Sequence, residues 1–342
     1  MTYVVVGAGA VGGTVGGLLA HSGRDVVLLA RGRHASALRD TGLRLGRPEG
    51  TLTLRVPVVE RVADLRLRPD DVLLLTVKSQ DSAGLLADLA ALPVGAGTAG
   101  QLLPVLCLQN GLSNEREALR RFARVHGVCV MLPATHLQPG QVDASGGPRA
   151  GLLEVGRYPY GTDVVDTTVA ADLGAAGFGV VPREDVMAWK RAKLLRNLGN
   201  ALEALCGHDL DAPEHVVLGE LDRKARTEGE RCFSAAGLTQ VGDEEWDVNR
   251  GDRCEVQAVE GRTRAGGSTW QSIARGAGSV EADHLNGEVV LLGRLHGVAT
   301  PVNELLQREV NALVRDGRPA GSVLPSSLRG RLDADPGEGE TW

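Results

Sequence analysis

The chain has 342 residues and a formal net charge of −6, which is enough length for one large or two moderate domains. Because the charge is negative and no long basic run occurs, the composition argues against a nucleic-acid-binding protein. No apolar stretch approaches the roughly 18 residues of a membrane span, and a strand begins by residue 3. We therefore expect a cytoplasmic protein without a signal peptide or membrane partner.

The five cysteines are an odd number and show no C-x-x-C spacing. This pattern argues against a disulfide framework or a zinc site, so we expect buried thiols in a reducing compartment and no metal. The residues are Cys107, Cys129, Cys206, Cys232 and Cys254.

Strand-like and helix-like segments alternate in the first third of the chain. The apolar strands are continuous rather than alternating, which favours parallel strands covered on both faces and a doubly wound α/β fold. In chain order we predict a strand from Tyr3, a helix over 13–22, a strand over 25–30, a helix over 34–40, strands within 43–58, a strand over 71–77, a helix over 82–91 and a strand ending at 109.

Residues 128–181 are rich in strand and turn signals, which predict loops and edges of the same sheet. After Pro182 the pattern becomes helical. We predict helices over 185–206, 216–236, 280–296 and 301–315, the last with Thr300 as N-cap and Pro301 in its first turn. The predicted domains are thus 1–183 (α/β) and 184–320 (helical), and the acidic, aperiodic residues 328–342 predict a disordered tail.

The opening stretch "YVVVGAGAVGG" places Gly7, Gly9 and Gly12 at G-x-G-x-x-G spacing, after a strand and before a helix. In this context the glycines allow the tight turn, the approach of a pyrophosphate and close helix packing. The N–H groups at the helix start, including those of Ala10 and Val11, favour an anion. Residues 1–183 are therefore predicted to be a dinucleotide-binding, Rossmann-like domain.

The end of the second strand distinguishes the two nicotinamide cofactors. An NAD site places an acid there, whereas this chain has "LLARGRH", with Arg31 and Arg33 where a 2′-phosphate would lie. We therefore expect NADP(H), the alternative being that both arginines are ordinary surface residues.

Ligands of such folds bind at the carboxyl ends of the strands. Lys78 follows one strand and Asn110 follows the next, so both are candidate ligand-binding residues. The alternatives are a solvated loop lysine and an ordinary Asn110-Gly111 turn.

In the helical half, Lys193, Asn197 and Asn200 form a polar row at helical spacing, next to the apolar row of Leu194, Leu198, Ala201 and Leu205. A lysine at this border could protonate a carbonyl oxygen. The alternative is a flanking lysine that serves solubility.

Glu281 shares a predicted helical face with Leu285, Val289, Leu292 and Leu295. A carboxylate on a core-facing row needs a partner, for which a lysine is the natural choice. The alternative is a first-turn glutamate that points to solvent.

Taken in order, "VVVGAGAVGG", "LLARGRHASALRDTGLRL", "TVK", "LQNGL", "KLLRN" and "GSVEADHLNGEVVLLGRLHGVATPVNELL" resemble the ketopantoate reductases (2-dehydropantoate 2-reductases) over nearly all of residues 1–316. The resemblance implies an NADP-binding Rossmann domain, a helical domain of the 6-phosphogluconate dehydrogenase type, and an active site in the cleft between them.

The resemblance also implies roles for single residues. Lys193 matches the catalytic lysine and Glu281 the glutamate that supports the reacting group, while Lys78 and Asn110 match positions at the nicotinamide end. The matches on the substrate side are Asn197, Asn110 and Asn200, with Ser268 and Thr269 where paired serines bind the substrate carboxylate.

Two segments depart from the family pattern. "NALEA" replaces Asn-Pro-Leu-Thr-Ala and "STWQSI" replaces Ser-Ser-Met-x-x-Asp, both on the substrate side. The expected function is NADPH-dependent reduction of ketopantoate to pantoate by a cytoplasmic enzyme, with a small 2-keto acid as its partner and a homodimer left open. The alternatives are reduction of another 2-keto acid or ketone, and a non-catalytic NADP-binding sensor.

Overall fold

A computed structural model describes residues 1–261 and 266–334 of the chain. These residues form two compact units. The first comprises 1–190 and 242–261, and the second comprises 191–241 and 266–334. Within these ranges, no helix combines the length and the apolar character that crossing a membrane requires.

The strands and helices of the described residues are as follows. The strands are β1 (Thr2–Val6), β2 (Asp25–Leu29), β3 (Leu43–Gly46), β4 (Leu52–Leu54), β5 (Val58–Val59), β6 (Val72–Leu75), β7 (Pro93–Val94), β8 (Gly97–Thr98), β9 (Pro104–Cys107), β10 (Arg124–Met131), β11 (Ala134–Thr135), β12 (Gln141–Ala144), β13 (Gly146–Pro148), β14 (Leu152–Arg157), β15 (Gly179–Pro182) and β16 (Cys254–Val256). The helices are α1 (Ala10–His21), α2 (Gly32–Asp40), α3 (Ser82–Ala90), α4 (Ala99–Leu102), α5 (Ser113–Leu119), α6 (Val164–Ala175), α7 (Val186–Asn197), α8 (Gly199–Cys206), α9 (Ala212–Ala235), α10 (Asp243–Arg250), α11 (Ser268–Ala274), α12 (Asn286–His296), α13 (Pro301–Arg315) and α14 (Pro325–Ala334).

The first unit is built on an eight-stranded sheet with the order β15-β14-β10-β9-β6-β1-β2-β5. Strands β5, β2, β1, β6, β9 and β10 are mutually parallel, with Tyr3 of β1 opposite Val26 and Val72. Strands β14 and β15 are parallel to each other and run in the opposite direction, with β14 antiparallel to β10. The strand order reverses between β1 and β6, which is the switch point of a doubly wound sheet. This confirms the predicted α/β fold.

Both faces of β1 are buried, as the continuous apolar run predicts. Tyr3 and Val5 pack into a core that includes residues of α1 and α6, whereas Val4 and Val6 pack into a core on the other face with residues of α3 and α5. Alternate side chains thus point to opposite cores.

The expectation of only strands and turns over 128–181 was wrong at helix α6. The Asp163 carboxylate accepts a hydrogen bond from the Val165 N–H, which caps the helix, and α6 buries Val165, Val169 and Leu173. In addition, β11, β12, β3 and β4 form a separate four-stranded sheet rather than edges of the main one.

Residues 242–261 lie in the first unit, although we expected them in the helical domain of 184–320. Strand β16 pairs antiparallel with β13, and the Trp246 ring stacks on Trp189 with a centroid distance of 6.0 Å. The boundary expected at residue 184 also differs, because the chain leaves the first unit inside α7, after Lys190.

In the described residues of the second unit, all regular secondary structure is helical. The helix predicted over 185–206 is interrupted at Leu198, and the helix predicted over 280–296 begins as a 3-10 turn, Glu281–His284. Thr300 and Pro301 lie at the start of α13 as predicted. The capping group, however, is the buried Glu228 carboxylate, which accepts hydrogen bonds from the N–H groups of Val302 (2.9 Å) and Asn303 (3.0 Å).

The expected disorder of residues 328–342 was wrong for 328–334, which belong to α14. Leu328 is fully buried, and the Ser326 N–H donates to Glu214 Oε2 at 2.8 Å, so the helix is held by packing and by a capping contact. Residues 335–342 lie outside the described residues.

Candidate active site

The glycine-rich turn joins β1 to α1 at the switch point of the sheet. Gly7 has φ +105°, a conformation that side chains rarely adopt. A Cβ on Gly12 would lie 1.9 Å from the Gly7 carbonyl oxygen and 2.4 Å from Thr76 Oγ1, so only glycine allows this approach of helix and strand. A Cβ on Gly9, in contrast, would meet His136 Nδ1 alone among the atoms of the described residues, at 4.0 Å.

The start of α1 suits an anion. The first turn of this helix, which is fully described, carries no acidic residue, and among the described residues no side chain caps the helix at Gly9. The N–H groups of Ala10, Val11 and Gly12 belong to this turn, where a helix offers no internal acceptor. These residues fit the pyrophosphate of a dinucleotide.

Arg31 and Arg33 follow β2 and are both exposed, Arg31 being the N-cap of α2. Their guanidinium groups fit a ligand phosphate at the edge of the sheet. The next residue, His34, is turned inward. Its Nε2 lies 2.8 Å from the Ala8 carbonyl oxygen, and its Nδ1 accepts a hydrogen bond from the Gly140 N–H at 2.9 Å. Sequence reasoning missed this histidine.

Lys78 and Asn110 lie after β6 and β9, which are neighbouring parallel strands. Asn114 links the two segments, because its Nδ2 donates to the Asn110 carbonyl oxygen at 3.1 Å and to Ser79 Oγ at 3.0 Å. Both candidate side chains are half-buried. Gly111 has φ +82°, so Asn110-Gly111 is also a turn pair. The structure thus brings the predicted cofactor-binding residues to one edge of the sheet.

A buried ion pair lies beneath this edge. The Lys190 ammonium pairs with the Glu115 carboxylate and donates to the Gln109 carbonyl oxygen at 2.9 Å. The Lys190 side chain is 3% exposed and that of Glu115 is 0% exposed. Both of these contacts of the Lys190 ammonium therefore lie inside the first unit.

In the second unit, the polar row predicted on α7 and α8 is present. Lys193, Asn197 and Asn200 are half-buried, while Leu194 and Leu198 of the apolar row are buried. The break between the two helices is held by Asn286, whose Nδ2 donates to the Leu198 carbonyl oxygen at 3.3 Å. Asn286 begins α12, just after the turn that carries Glu281.

Glu281 is 4% exposed, so the solvent-facing alternative was wrong and the core-facing one was right. The helical face that we predicted for it was also wrong, because Glu281 lies in a 3-10 turn and Leu295 is 65% exposed. Burial lowers the pKa of Arg275, and the charge of the nearby Glu281 carboxylate offsets part of this shift. Arg275 is thus a cation close to Glu281 that sequence reasoning, which considered only a lysine, did not find.

Ser268 and Thr269 begin α11, and Thr269 is buried. The preceding Gly267 N–H donates to Glu203 Oε1 at 2.7 Å, and a Cβ on Gly267 would lie 3.2 Å from Asn200 Oδ1. The start of α11 therefore lies against α8. Because "NALEA" lies on α8 and "STWQSI" on α11, the two segments that depart from the family pattern lie on helices that contact each other.

One further group of metal-binding residue types lies at the start of α6. His126 Nδ1 is 2.8 Å from Asp166 Oδ1, and Asp166 Oδ2 accepts a hydrogen bond from the Asp163 N–H. Both carboxylates take part in capping α6. The group lies toward the amino ends of the parallel strands, away from the predicted cofactor-binding residues.

Comparison with known proteins covers both units. The family description "Ketopantoate reductase PanE/ApbA" matches residues 3–159, and its C-terminal counterpart matches residues 185–314. The chain is 32% identical over 327 residues to a 2-dehydropantoate 2-reductase of Halobacterium salinarum, with 93% of this chain and 100% of the relative covered.

Two solved structures share the fold of this chain. A PanE/ApbA family ketopantoate reductase from Ralstonia eutropha JMP134 has a TM-score of 0.72 at 28% identity and covers 92% of this chain and 99% of its own. The ternary structure of D-mandelate dehydrogenase with NADH and anilino(oxo)acetate has a TM-score of 0.76 at 20% identity, with coverages of 93% and 99%, and shows the shared fold alone. By the match of both family regions, the chain belongs to the ketopantoate reductase family of oxidoreductases.

Proposed function

We propose that this enzyme reduces a 2-keto acid with NADPH, the substrate being 2-dehydropantoate (ketopantoate) and the product pantoate, a step of pantothenate biosynthesis. The observation that carries the proposal is the match to 2-dehydropantoate 2-reductases over essentially their whole length. Lys193 and Glu281 stand at the positions that the family resemblance implies for the reaction.

The residues of the first unit fit the cofactor. The turn of Gly7, Gly9 and Gly12 would hold the pyrophosphate, Arg31 the 2′-phosphate, and Lys78 and Asn110 the nicotinamide end. When bound, NADPH supplies the hydride that adds to the keto carbon of the substrate. The choice of NADPH over NADH rests on Arg31 and Arg33 and on the absence of an acid after β2 in the sequence.

Lys193 acts as the general acid. Its ammonium donates a hydrogen bond to the keto oxygen, stabilises the negative charge that develops there, and transfers the proton that completes the hydroxyl group. Glu281 supports the reacting group. Ser268 and Thr269 bind the substrate carboxylate, with Asn197 and Asn200 as further substrate contacts.

A second candidate is reduction of a different 2-keto acid. One observation favours it: helix α11, which carries "STWQSI", packs against helix α8, which carries "NALEA", and Glu203 of α8 accepts the N–H of Gly267, just before α11. The two segments that differ from the family pattern thus lie in one region, which we assign to the substrate. The residues proposed for the cofactor follow the family pattern.

The test is loss of NADPH absorbance with ketopantoate, measured beside NADH and a panel of other 2-keto acids. We expect fast oxidation of NADPH with ketopantoate and a kcat/KM at least about tenfold lower with NADH, because two guanidinium groups favour the extra phosphate. Turnover of another keto acid only would establish the second candidate. Tight NADPH binding without turnover on any substrate would instead indicate a sensor.

A further inference from the structure

The His34 ring makes hydrogen bonds both to the glycine-rich turn, at Ala8, and to a loop distant in sequence, at Gly140. Its Nδ1 accepts the Gly140 N–H at 2.9 Å, so the ring proton must be on Nε2, which lies 2.8 Å from the Ala8 carbonyl oxygen. Nε2 therefore donates to Ala8, and the ring is neutral. Burial lowers the pKa of His34, which agrees with a neutral ring.

Ala8 stands between Gly7 and Gly9, the two residues with the most backbone freedom in the turn. A peptide unit is planar and trans, so its C=O and the following N–H point in opposite directions. By holding the Ala8 carbonyl oxygen, His34 fixes the direction of the Gly9 N–H, which points away from the imidazole.

We propose that His34 is a positioning residue for the cofactor: its Nε2–H presets the Ala8–Gly9 peptide so that the turn receives a dinucleotide pyrophosphate without reordering. This inference rests on the proposed function only in taking NADP(H) as the ligand. Preorganisation of a glycine-rich turn raises affinity because the ordering cost is met before binding.

The ring itself has no role as a ligand or as an acid. Both nitrogens are engaged with backbone groups, and one ring face meets His136 at a centroid distance of 4.3 Å. Charge recognition is left to the exposed Arg31 and Arg33. The effect of His34 is therefore expected in cofactor affinity and not in the chemical step.

Two isosteric variants separate the two hydrogen bonds. In His34→Gln the amide nitrogen takes the place of Nε2 and keeps the bond to Ala8, whereas in His34→Asn the amide oxygen takes the place of Nδ1 and keeps only the bond from Gly140. Ser36→Ala, at an exposed position of the same helix, is the matched control.

The readouts are the Kd for NADPH by fluorescence titration, amide exchange of residues 7–13 in the ligand-free protein, and kcat with saturating NADPH. We expect His34→Asn to raise the Kd about tenfold, as for one hydrogen bond, and to speed exchange at Gly13, whose N–H donates to the Gly9 carbonyl oxygen at 2.7 Å. His34→Gln should stay within about threefold of the wild type, and kcat should be unchanged in both variants.

Equal losses in both variants, or no change in exchange for His34→Asn, would overturn the inference while leaving the proposed function intact. Wild-type protein that binds NADPH but does not reduce ketopantoate would overturn the function and leave the role of His34 to be decided by the same two variants. Failure of the wild type to bind NADPH would overturn both.

Discussion

Two lysines of the segment "WKRAK" have opposite surroundings although they are three residues apart on one helix. Lys190 is 3% exposed and is paired with the buried Glu115, whereas Lys193 is half-buried and lies on the polar row of α7. A buried charge that loses its partner is costly, whereas a general acid at the border of the core contributes to rate rather than to folding. Matching substitutions at the two sites should therefore have different effects.

We expect Lys193→Met to lower kcat by about 10²- to 10⁴-fold with little change in unfolding free energy, since general acid catalysis contributes rate enhancements of that size. Lys190→Met should lower the unfolding free energy by about 3–5 kcal/mol, because Glu115 would be left buried without a cation. Steady-state kinetics and urea unfolding of both variants measure the contrast.

The double variant Lys190→Met/Glu115→Gln is the control for the buried pair. It should recover a large part of the lost stability, because neither side chain then carries a charge in the interior. Full turnover by Lys193→Met would refute the proposed acid.

At this scale the sequence predicted Lys193 and Glu281 as site residues, and their roles stay predictions; it did not reveal the tertiary contacts around the two helical segments. Helical spacing predicted which side chains of α7 and α8 border the core, but it failed for Glu281, which lies in a 3-10 turn. The contacts of the neighbouring Lys190 and Gly267 could not be predicted, because Glu115 precedes Lys190 by 75 residues and Glu203 precedes Gly267 by 64 residues. A pattern that repeats along one element carries no information on such distant pairs.

At the scale of elements, the turn between β1 and α1 contains two glycines with different surroundings. A Cβ on Gly12 would overlap the Gly7 carbonyl oxygen at 1.9 Å, whereas, among the atoms of residues 1–261 and 266–334, the Cβ position of Gly9 has His136 Nδ1 as its one neighbour within 4 Å, at 4.0 Å. Packing within the protein thus explains why residue 12 is glycine. It does not explain Gly9, where we expect the close approach of a ligand to be the reason.

We expect Gly9→Ala to fold like the wild type and to raise the Kd for NADPH by at least about tenfold, because the added methyl group blocks the close approach of the pyrophosphate. Gly12→Ala should both weaken binding and lower the unfolding free energy by about 1–3 kcal/mol, the usual cost of overpacking. Thermal unfolding and NADPH titration distinguish the two.

Gly84→Ala on α3 provides the matched control, since its Cβ would meet no atom within 4 Å in the part of the chain that the structure describes. It should leave NADPH affinity unchanged and stabilise the helix by about 0.5–1 kcal/mol. A Gly9→Ala protein that binds NADPH with wild-type affinity would contradict the proposed pyrophosphate site.

The elements with strong periodicity were predictable, and the capped or broken ones were not. The run "VVDTTVAADLGA" is rich in β-branched residues, which favour strands, yet it forms α6 because Asp163 caps it and one face is buried. Likewise, the N-terminus of α13 depends on Glu228, which precedes the capped Val302 N–H by 74 residues. Tertiary contacts override local propensity at both sites.

At the scale of the whole molecule, the two-domain architecture followed from the change in pattern near residue 184, but the return of the chain to the first unit did not. Residues 242–261 contain a short helix, α10, and a three-residue strand, β16, whose pairing with β13 joins residues more than 100 positions apart. So short a strand has no distinctive period, and hence the segment was assigned with its sequence neighbours.

The five cysteines provide a test of both folded units together. All five thiols are buried and none forms a disulfide. Burial raises the pKa of Cys206 to about 12 and that of Cys232 to about 11, and it also raises the pKa of Cys107 and of Cys254. Because the thiolate is the reactive form, each of these groups is protected both by steric access and by protonation.

We therefore expect fewer than about one thiol per molecule of native protein to react with Ellman's reagent within minutes at pH 8. All five should react after unfolding in guanidinium chloride. Ser36→Cys is the positive control, since this exposed position should add one fast-reacting thiol. A single fast thiol in the wild type would mean that one unit opens locally at that cysteine, and its identity would show which unit does so: Cys107, Cys129 and Cys254 belong to the first, Cys206 and Cys232 to the second.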